Sequence, residues 1–593
     1  MPNNVNLDDP FAGYEKKDPR RKTKSIVAVL IVVLLVAIAG GVYVFLLEYL
    51  PSGEEAEYRE FLGLSPESIG LVLDDRRIDN YFPCYENDAV YLPTDFIKNE
   101  INQYIFWDKA SADLIITIND SVMRFKPNMT NYRVDNEPQT LRLPLIESSN
   151  EAYLPADLLM SIYNISISYD AEANIVIVDS LDISRQICQI SSKEKTVPVR
   201  FDPDKKSPIM FKLTGEDKFV MFDEPDGREY QQVRLSNGYF GYILSSEVTL
   251  VEKIAAKTEP LPDYSPTKQV EGKINMVWDQ VTNFAANLNS IAMANSNDIN
   301  VISPTWFEFD KDSLNGDIKS LADRRYVDWA HSRGIKVWAL ITDNFSSVVS
   351  HAVLSDTAVR EHVIDQLLNF VDSYSLDGIN IDFENVKAAD ADYYIQFLRE
   401  LYPPLKRKQV VLSVDMYVPM NFNMYYNRTE IGRASDYLII MGYDEHHSTS
   451  EVSGPVASIG FVRDGVANTL KEVGNDKVIL GMPYYVRVWR EEPGEDGQVT
   501  VTSAAYGMSL AYSNFRSRGA NFTWDDEMGC NYAEYTATEN RKQITYKVWL
   551  EDEKSIEEKL KVASEFNLAG VSGWKRGLEK EAIWKLLDSY MAE

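Results

Sequence analysis

The stretch Asp377-Gly378-Ile379-Asn380-Ile381-Asp382-Phe383-Glu384-Asn385 constrains the fold of this chain more than any other segment. Side chains alternate across a strand, so Asn380, Asp382 and Glu384 share one face while Ile379, Ile381 and Phe383 share the other. Burying one unpaired polar group costs about 1–3 kcal/mol, and an unpaired charge more. A row of three persists only where its members bond one another or a ligand. That places Glu384 at the carboxyl end of a strand that opens into a site.

The surroundings supply a frame for such a strand. From residue 270 onward, apolar runs are separated by amphipathic helices, the alternation expected of a parallel α/β architecture. Expected strands are Ile274 to Trp278, Ile299 to Pro304, Ile335 to Ile341, Gly378 to Phe383, Val410 to Met416, Tyr437 to Met441, Val478 to Met482 and Gly570 to Trp574. Eight such strands make a TIM (β/α)8 barrel over 270–593, whose chemistry belongs at the strands' carboxyl ends. Val359, Val363, Leu367, Val371 and Tyr374 recur at helical spacing and form one apolar stripe. Gly334 is placed as a left-handed helix stop. Asp377 falls on the face opposite Glu384, where it closes a turn or bonds backbone. Residues 491–546 form a long insertion before the eighth strand.

The Asp377-x-x-Asn380-x-Asp382-x-Glu384 pattern resembles the signature of glycoside hydrolase family 18, with Asn380 in place of the middle aspartate. The resemblance implies that Glu384 is the general acid, that Asp382 raises its pKa and orients the substrate's N-acetyl group, and that the 2-acetamido oxygen attacks its own anomeric carbon in a retaining, substrate-assisted reaction. Met441-Gly442-Tyr443-Asp444 matches the place where the family sets a tyrosine that holds the acetamido carbonyl. Trp574 matches the aromatic floor under the cleaved sugar. Core packing is the competing reading for Tyr443 and Trp574, and Trp278 reads equally as subsite lining or as packing. Met441, Asp444, Tyr484 and Asn380 complete the expected substrate-binding set. An asparagine at 380 offers a fixed hydrogen bond where an aspartate would share a proton. Gly481-Met482-Pro483-Tyr484-Tyr485-Val486-Arg487-Val488-Trp489 and Trp549-Leu550-Glu551-Asp552 look like the spore-germination and cortex-fragment-lytic branch, which implies peptidoglycan rather than chitin. A non-hydrolytic, lectin-like glycan binder is the alternative. No cofactor is implied.

Upstream, Ile26 to Leu47 run 22 residues without a charge, enough for a helix to cross a hydrocarbon core of about 30 Å. A signal peptide's apolar core is usually only about 7–15 residues. Lys16, Lys17, Arg20, Arg21, Lys22 and Lys24 precede the run and Glu48, Glu54 and Glu55 follow it. The positive-inside bias therefore makes 1–25 a cytoplasmic tail, 26–47 a single-pass transmembrane helix, and the rest extracellular, as in a Gram-positive-type envelope. The chain's net charge is -30, with 60 basic and 90 acidic residues, of which the first 24 residues hold 6 and 4. So acidic an ectodomain excludes a nucleic-acid partner. Three cysteines imply no disulfide framework, and five scattered histidines, including the His446-His447 pair, imply no metal site.

Two further segments separate the span from the barrel. Val90-Tyr91-Leu92-Pro93-Thr94-Asp95-Phe96 recurs 62 residues later as Ala152-Tyr153-Leu154-Pro155-Ala156-Asp157-Leu158, so 48–187 is expected to be an α+β repeat domain of two small units. It looks like the copper-amine-oxidase N-terminal-like repeat, serving as spacer or wall contact and, lacking histidine, without copper. Residues 188–252 alternate around Pro225-Asp226-Gly227 and Ser236-Asn237-Gly238, which suits a small β-barrel. Val233-Arg234 and Gly238-Tyr239-Phe240-Gly241-Tyr242-Ile243 resemble a bacterial Src-homology-3-like module, a wall-peptide binder or a spacer. Pro260, Pro262 and Pro266 mark 253–269 as a linker.

Overall fold

In the computed structural model, the described residues are 19–65, 67–118, 120–191, 196–222, 227–258, 264–293, 299–495 and 497–592. Most of the expected cytoplasmic tail, the turn residues Pro225 and Asp226, and linker residues Pro260 and Pro262 lie outside them. The amino-terminal helix spans Pro19–Tyr49. Its uncharged stretch Ile26–Leu46 is unburied, and long and apolar enough to cross a membrane.

Chain contacts divide the protein into two compact units, residues 1–92 with 156–259 and residues 93–155 with 260–593. In the first, Gly70–Leu73 pairs in parallel with Ile175–Ser180 inside a four-stranded sheet. A seven-stranded antiparallel sheet follows, built around Val199, Leu213, Phe219, Val233 and Ile243. Its Ser236-Asn237-Gly238 turn closes a hairpin in which Gly238 adopts a φ of 87°, a conformation that glycine alone takes without strain.

The second unit holds the barrel: β1 (Ile274–Asp279), β2 (Val301–Phe309), β3 (Lys336–Thr342), β4 (Gly378–Asp382), β5 (Val411–Tyr417), β6 (Tyr437–Met441), β7 (Val478–Pro483) and β8 (Gly570–Trp574). Each pairs in parallel with the next, and β1 closes the ring on β8. All eight expected strands are present. Ile379, Ile381 and Phe383 are buried against the outer helices, Phe383 with its ring 5.9 Å from those of Tyr394 and Phe397. At Gly378 a Cβ would come 2.5 Å from the Trp338 ring, so only glycine lets the strand pass there.

Helix α1 (Thr357–Tyr374) starts where the Asp356 carboxylate accepts from the backbone N–H groups of Ala358 and Val359, and it buries Val363, Leu367 and Val371 as the stripe predicts. Gly334, at φ 74°, follows the helix Arg324–Ser332 as expected. Asp377 accepts from the Val337 N–H at 3.0 Å and pairs with Lys336, fastening the start of β4. The last linker residues are tied to the barrel: Thr267 N–H donates to Asp436 at 2.7 Å, and Gln269 donates to the carbonyls of Asp377 and Gln409. The β7–β8 insertion is an antiparallel five-stranded sheet, from Tyr485–Pro493 to Lys542–Leu550, with the helix Met508–Ser517 and its own apolar core.

The five-stranded sheet that runs from Ile105–Asp108 to Glu137–Thr140 belongs to this unit too. It is anchored through Glu400 on α2 (Ala391–Arg407), which accepts from Arg360 at 3.1 Å and Gln396 at 3.0 Å and pairs with Arg124 of that sheet at 2.8 Å. Arg360 and Glu400 have fully buried side chains. Glu400→Ala is expected to lower stability by about 3–5 kcal/mol, because it strands a buried guanidinium. Urea unfolding of the full chain in detergent measures this, and a loss below about 1 kcal/mol would mean water reaches the pair.

Candidate active site

The polar row stands at the carboxyl end of β4, inside the ring. Asn380, with no exposed surface, is held on both sides. Its carbonyl oxygen accepts from Trp278 Nε1 at 3.0 Å and Ser303 Oγ at 3.1 Å. Its amide nitrogen donates to Ser413 Oγ at 3.1 Å and Asp415 Oδ1 at 2.8 Å. These partners come from β1, β2 and β5, so the side chain ties three strands to β4. All the hydrogen-bonding capacity an amide offers a crowded interior is used.

Asp382 and Glu384 lie beyond it on the same face, Glu384 just past the last β4 residue. Burial drives the Asp382 carboxyl well above the usual carboxylate range, and the charges on Glu384, Asp415 and Asp343 push the same way. Burial also raises Glu384, to about 7; Asp343 and Asp444 add to the rise, while hydrogen bonds from the Tyr417 hydroxyl and from Asp382 oppose it. The Tyr417 hydroxyl donates to Glu384 Oε2. Asp415 is likewise held well above its ordinary value by burial, against hydrogen bonds from Asn380 and Trp278. Among the described residues no lysine or arginine pairs with any of these three carboxyls.

Two neighbouring cavities meet at Glu384. The smaller, about 190 Å³, is lined by Trp278, Asp382, Asp415, Tyr443, Tyr485 and Trp574 among others. The larger, about 700 Å³, is bounded by Met420, Phe422, Tyr425, His447 and Phe461. Glu384, Tyr417, Met441, Tyr443 and Asp444 line both. In the smaller cavity the Trp278 ring lies 5.9 Å from that of Trp574 and 6.5 Å from that of Tyr443. Burial and the nearby carboxylates keep the Tyr443 hydroxyl protonated and able to donate. A carboxyl that holds its proton near neutrality, beside apolar ring faces and hydroxyl donors, suits proton transfer to an oxygen in a sugar-sized ligand.

Of the nine residues singled out in the sequence, the fold brings Glu384, Asp382, Tyr443, Asp444, Met441, Trp574 and Trp278 to these cavities, with Asn380 directly beneath. Tyr484 is not among them. It is buried outside the barrel mouth, with its ring over Gly573 and edge-on to Trp584. The next residue, Tyr485, lines the cavity instead, and its hydroxyl donates to Asp444 Oδ1. Adjacent residues leaving a strand point to opposite sides, so a shift of one residue exchanges them. Asp444 itself adopts φ 59°, an uncommon conformation for a side-chain-bearing residue.

Asp415 and Tyr417 were missed in the sequence, although both interrupt an apolar strand with the alternation that marked β4. Asp343 was also missed; it follows β3, accepts from Ser350, and is fully buried. A raised folded-state pKa means Glu384 contributes its stabilisation below about pH 4.5 and loses it as pH rises through about 7. Glu384→Gln is therefore expected to raise Tm at pH 8 and leave it near wild type at pH 4. Melting curves across that range test this, and a pH-independent difference would contradict the burial of the carboxyl.

Two family models match the chain: glycosyl hydrolases family 18 over residues 277–579, and the copper amine oxidase N-terminal domain over 74–178. The uncharacterized glycosylase YvbX of Bacillus subtilis is 27% identical over 333 residues, covering 54% of this chain and 93% of that protein. The cortical fragment-lytic enzyme of the same organism is 27% identical over 252 residues, 41% of this chain and 56% of that enzyme. The crystal structure of the spore cortex-lytic enzyme SleL of Bacillus cereus aligns over 58% of this chain and 78% of its own, at 20% identity and a TM-score of 0.47.

Proposed function

Because the chain belongs to glycosyl hydrolases family 18, we propose that it is an outward-facing, membrane-anchored glycosidase that cleaves β-linked N-acetylglucosamine in peptidoglycan by a retaining, substrate-assisted mechanism. The observation that carries this reading is the placement of the Glu384 carboxyl at the junction of two cavities, beside Asp382 and under the Tyr417 hydroxyl, where burial raises it to about 7. In this reading the sugar to be cleaved occupies the smaller cavity, its apolar face against Trp574 and Trp278. Its glycosidic oxygen lies toward the larger one.

Glu384 donates its proton to that oxygen as the bond to the anomeric carbon breaks. The 2-acetamido oxygen closes on the same carbon, so no enzyme nucleophile is needed. Tyr443 donates to the acetamido carbonyl, and Asp382 orients the N–H. Glu384, now ionised, takes a proton from water as the water opens the cyclic intermediate, which returns the acid to its starting state. Met441 and Asp444 shape the wall between the cavities, and Asn380 fixes the floor.

Peptidoglycan is preferred to chitin because an extracellular, acidic ectodomain tethered by Ile26–Leu46 sits beside the cell wall, and because relatives bear cortex-lytic names. The helix is read as an anchor with the amino terminus in the cytoplasm.

Glu384→Gln is expected to reduce hydrolysis of peptidoglycan fragments at least about a hundredfold. Wild-type activity should fall as pH rises through about 7, where the acid ionises. A thiazoline analogue of N-acetylglucosamine should inhibit competitively; failure to bind would remove substrate assistance. Equal, negligible turnover by both proteins with retained glycan binding would favour the lectin-like reading. Protease added to intact cells should remove the barrel, and full protection would overturn the orientation.

A further inference from the structure

Asn380 leaves Glu384 as the carboxylate neighbour of Asp382 on its own segment, and the register of the next strand supplies another. Asn380 is level with Ser413 and Ile381 with Val414, which sets Asp415 on the same face as Asp382 and level with it. Adjacent strands lie about 4.8 Å apart, so the two carboxyls are close neighbours. Asp415 is almost fully buried and lines the same cavity as Asp382 and Glu384. It is oriented by the Asn380 amide at 2.8 Å.

We propose that Asp415 is a positioning residue: its carboxylate, held by the Asn380 amide on β4, retains the proton on Asp382, so that Asp382 faces Glu384 as a hydrogen-bond donor rather than as a second charge. This inference rests on the glycosidase reading for its consequence in turnover, but not for the coupling itself. The physical reason is charge. With no cation paired to them among the described residues, adjacent buried carboxyls do not all ionise together. Burial raises both carboxyls, so at most one of the two ionises; the Asn380 N–H opposes that rise at Asp415, and the proton then stays with Asp382.

Asp382 in turn donates to Glu384, which stabilises the glutamate once it has given up its own proton. The other titratable groups facing the pair are Asp343 beyond β3, Tyr394 on α2, Tyr417 on β5, and Tyr443 and Asp444 beyond β6. The tyrosines stay neutral through the working range. Asp343 and Asp444 remain unchanged in the variants below, so their charges are a constant background. Asn380 thus departs from the family pattern without removing a carboxylate from the site; the carboxylate comes from the neighbouring strand.

The test uses the full chain in detergent and two readouts. In the Glu384→Gln background, infrared titration follows the carbonyl stretch of the buried protonated carboxyl. Adding Asp415→Asn should move its midpoint down by about one pH unit or more. In the otherwise wild-type chain, Asp415→Asn should lower kcat about tenfold or more with KM little changed. Adding Asn380→Asp, which returns a carboxylate one strand away, should recover most of that loss. Asp415→Ser, uncharged and smaller, serves if the first variant does not fold.

A midpoint moved by less than about 0.3 unit, with kcat within about twofold of wild type, would overturn the proposal. If the midpoint moves while even the wild-type chain hydrolyses no N-acetylglucosamine glycan, the coupling stands and the glycosidase reading falls. If the wild type hydrolyses and neither readout moves, the coupling alone falls.

Discussion

Everything about the barrel mouth depends on how one amide is satisfied in a place that water does not reach. Asn380 takes donors from β1 and β2 through its oxygen and gives its N–H groups to β5. A buried side chain with unmet hydrogen bonds would cost about 1–3 kcal/mol, and here none of that cost arises. The same four contacts fix Trp278, Ser303, Ser413 and Asp415 relative to β4, so the floor of the site is rigid before a ligand arrives. A preorganised floor lets the groups above it act without rearrangement.

Above that floor the governing term is electrostatic. Asp382, Glu384 and Asp415 share a buried space without a paired cation among the described residues, and Asp343 and Asp444 add charge from either side. Low polarity and like charge act in the same direction, toward protonated carboxyls. Hydrogen bonds then separate the roles, since Tyr417 and Asp382 donate to Glu384 while Asn380 donates to Asp415. Glu384 consequently titrates near neutrality, whereas Asp382 holds its proton more firmly.

The scaffold beneath the chemistry is held by different means. The Glu400 cluster couples α1 and α2 to a sheet that lies within the 48–187 stretch expected from the repeat to be one α+β domain. Repeat similarity is a local property of sequence, whereas membership of a compact unit follows from which surfaces are buried together. The insertion after β7 likewise carries a core of its own, and its first residue, Tyr485, reaches back to hold Asp444.

The chain's local patterns were enough to locate the eight barrel strands, the helix stripe ending at Tyr374, the turn at Gly238 and the shared face of Asn380, Asp382 and Glu384. Each depends on periodicity or on a backbone conformation that a few neighbouring residues impose. Local pattern did not distinguish Tyr484 from Tyr485, because the choice rests on where β7 ends and which ring packs on Gly573. Nor did it reveal Asp415, Tyr417 or Asp343, which lie 31 or more residues from Glu384 and on other strands or just beyond them. Their relation to it is set by the parallel register of β3, β4 and β5. By itself the sequence determined a polar row that requires a site. Only the closing of the barrel decided which groups share its protons, because proton affinity depends on burial and on charges brought near through space.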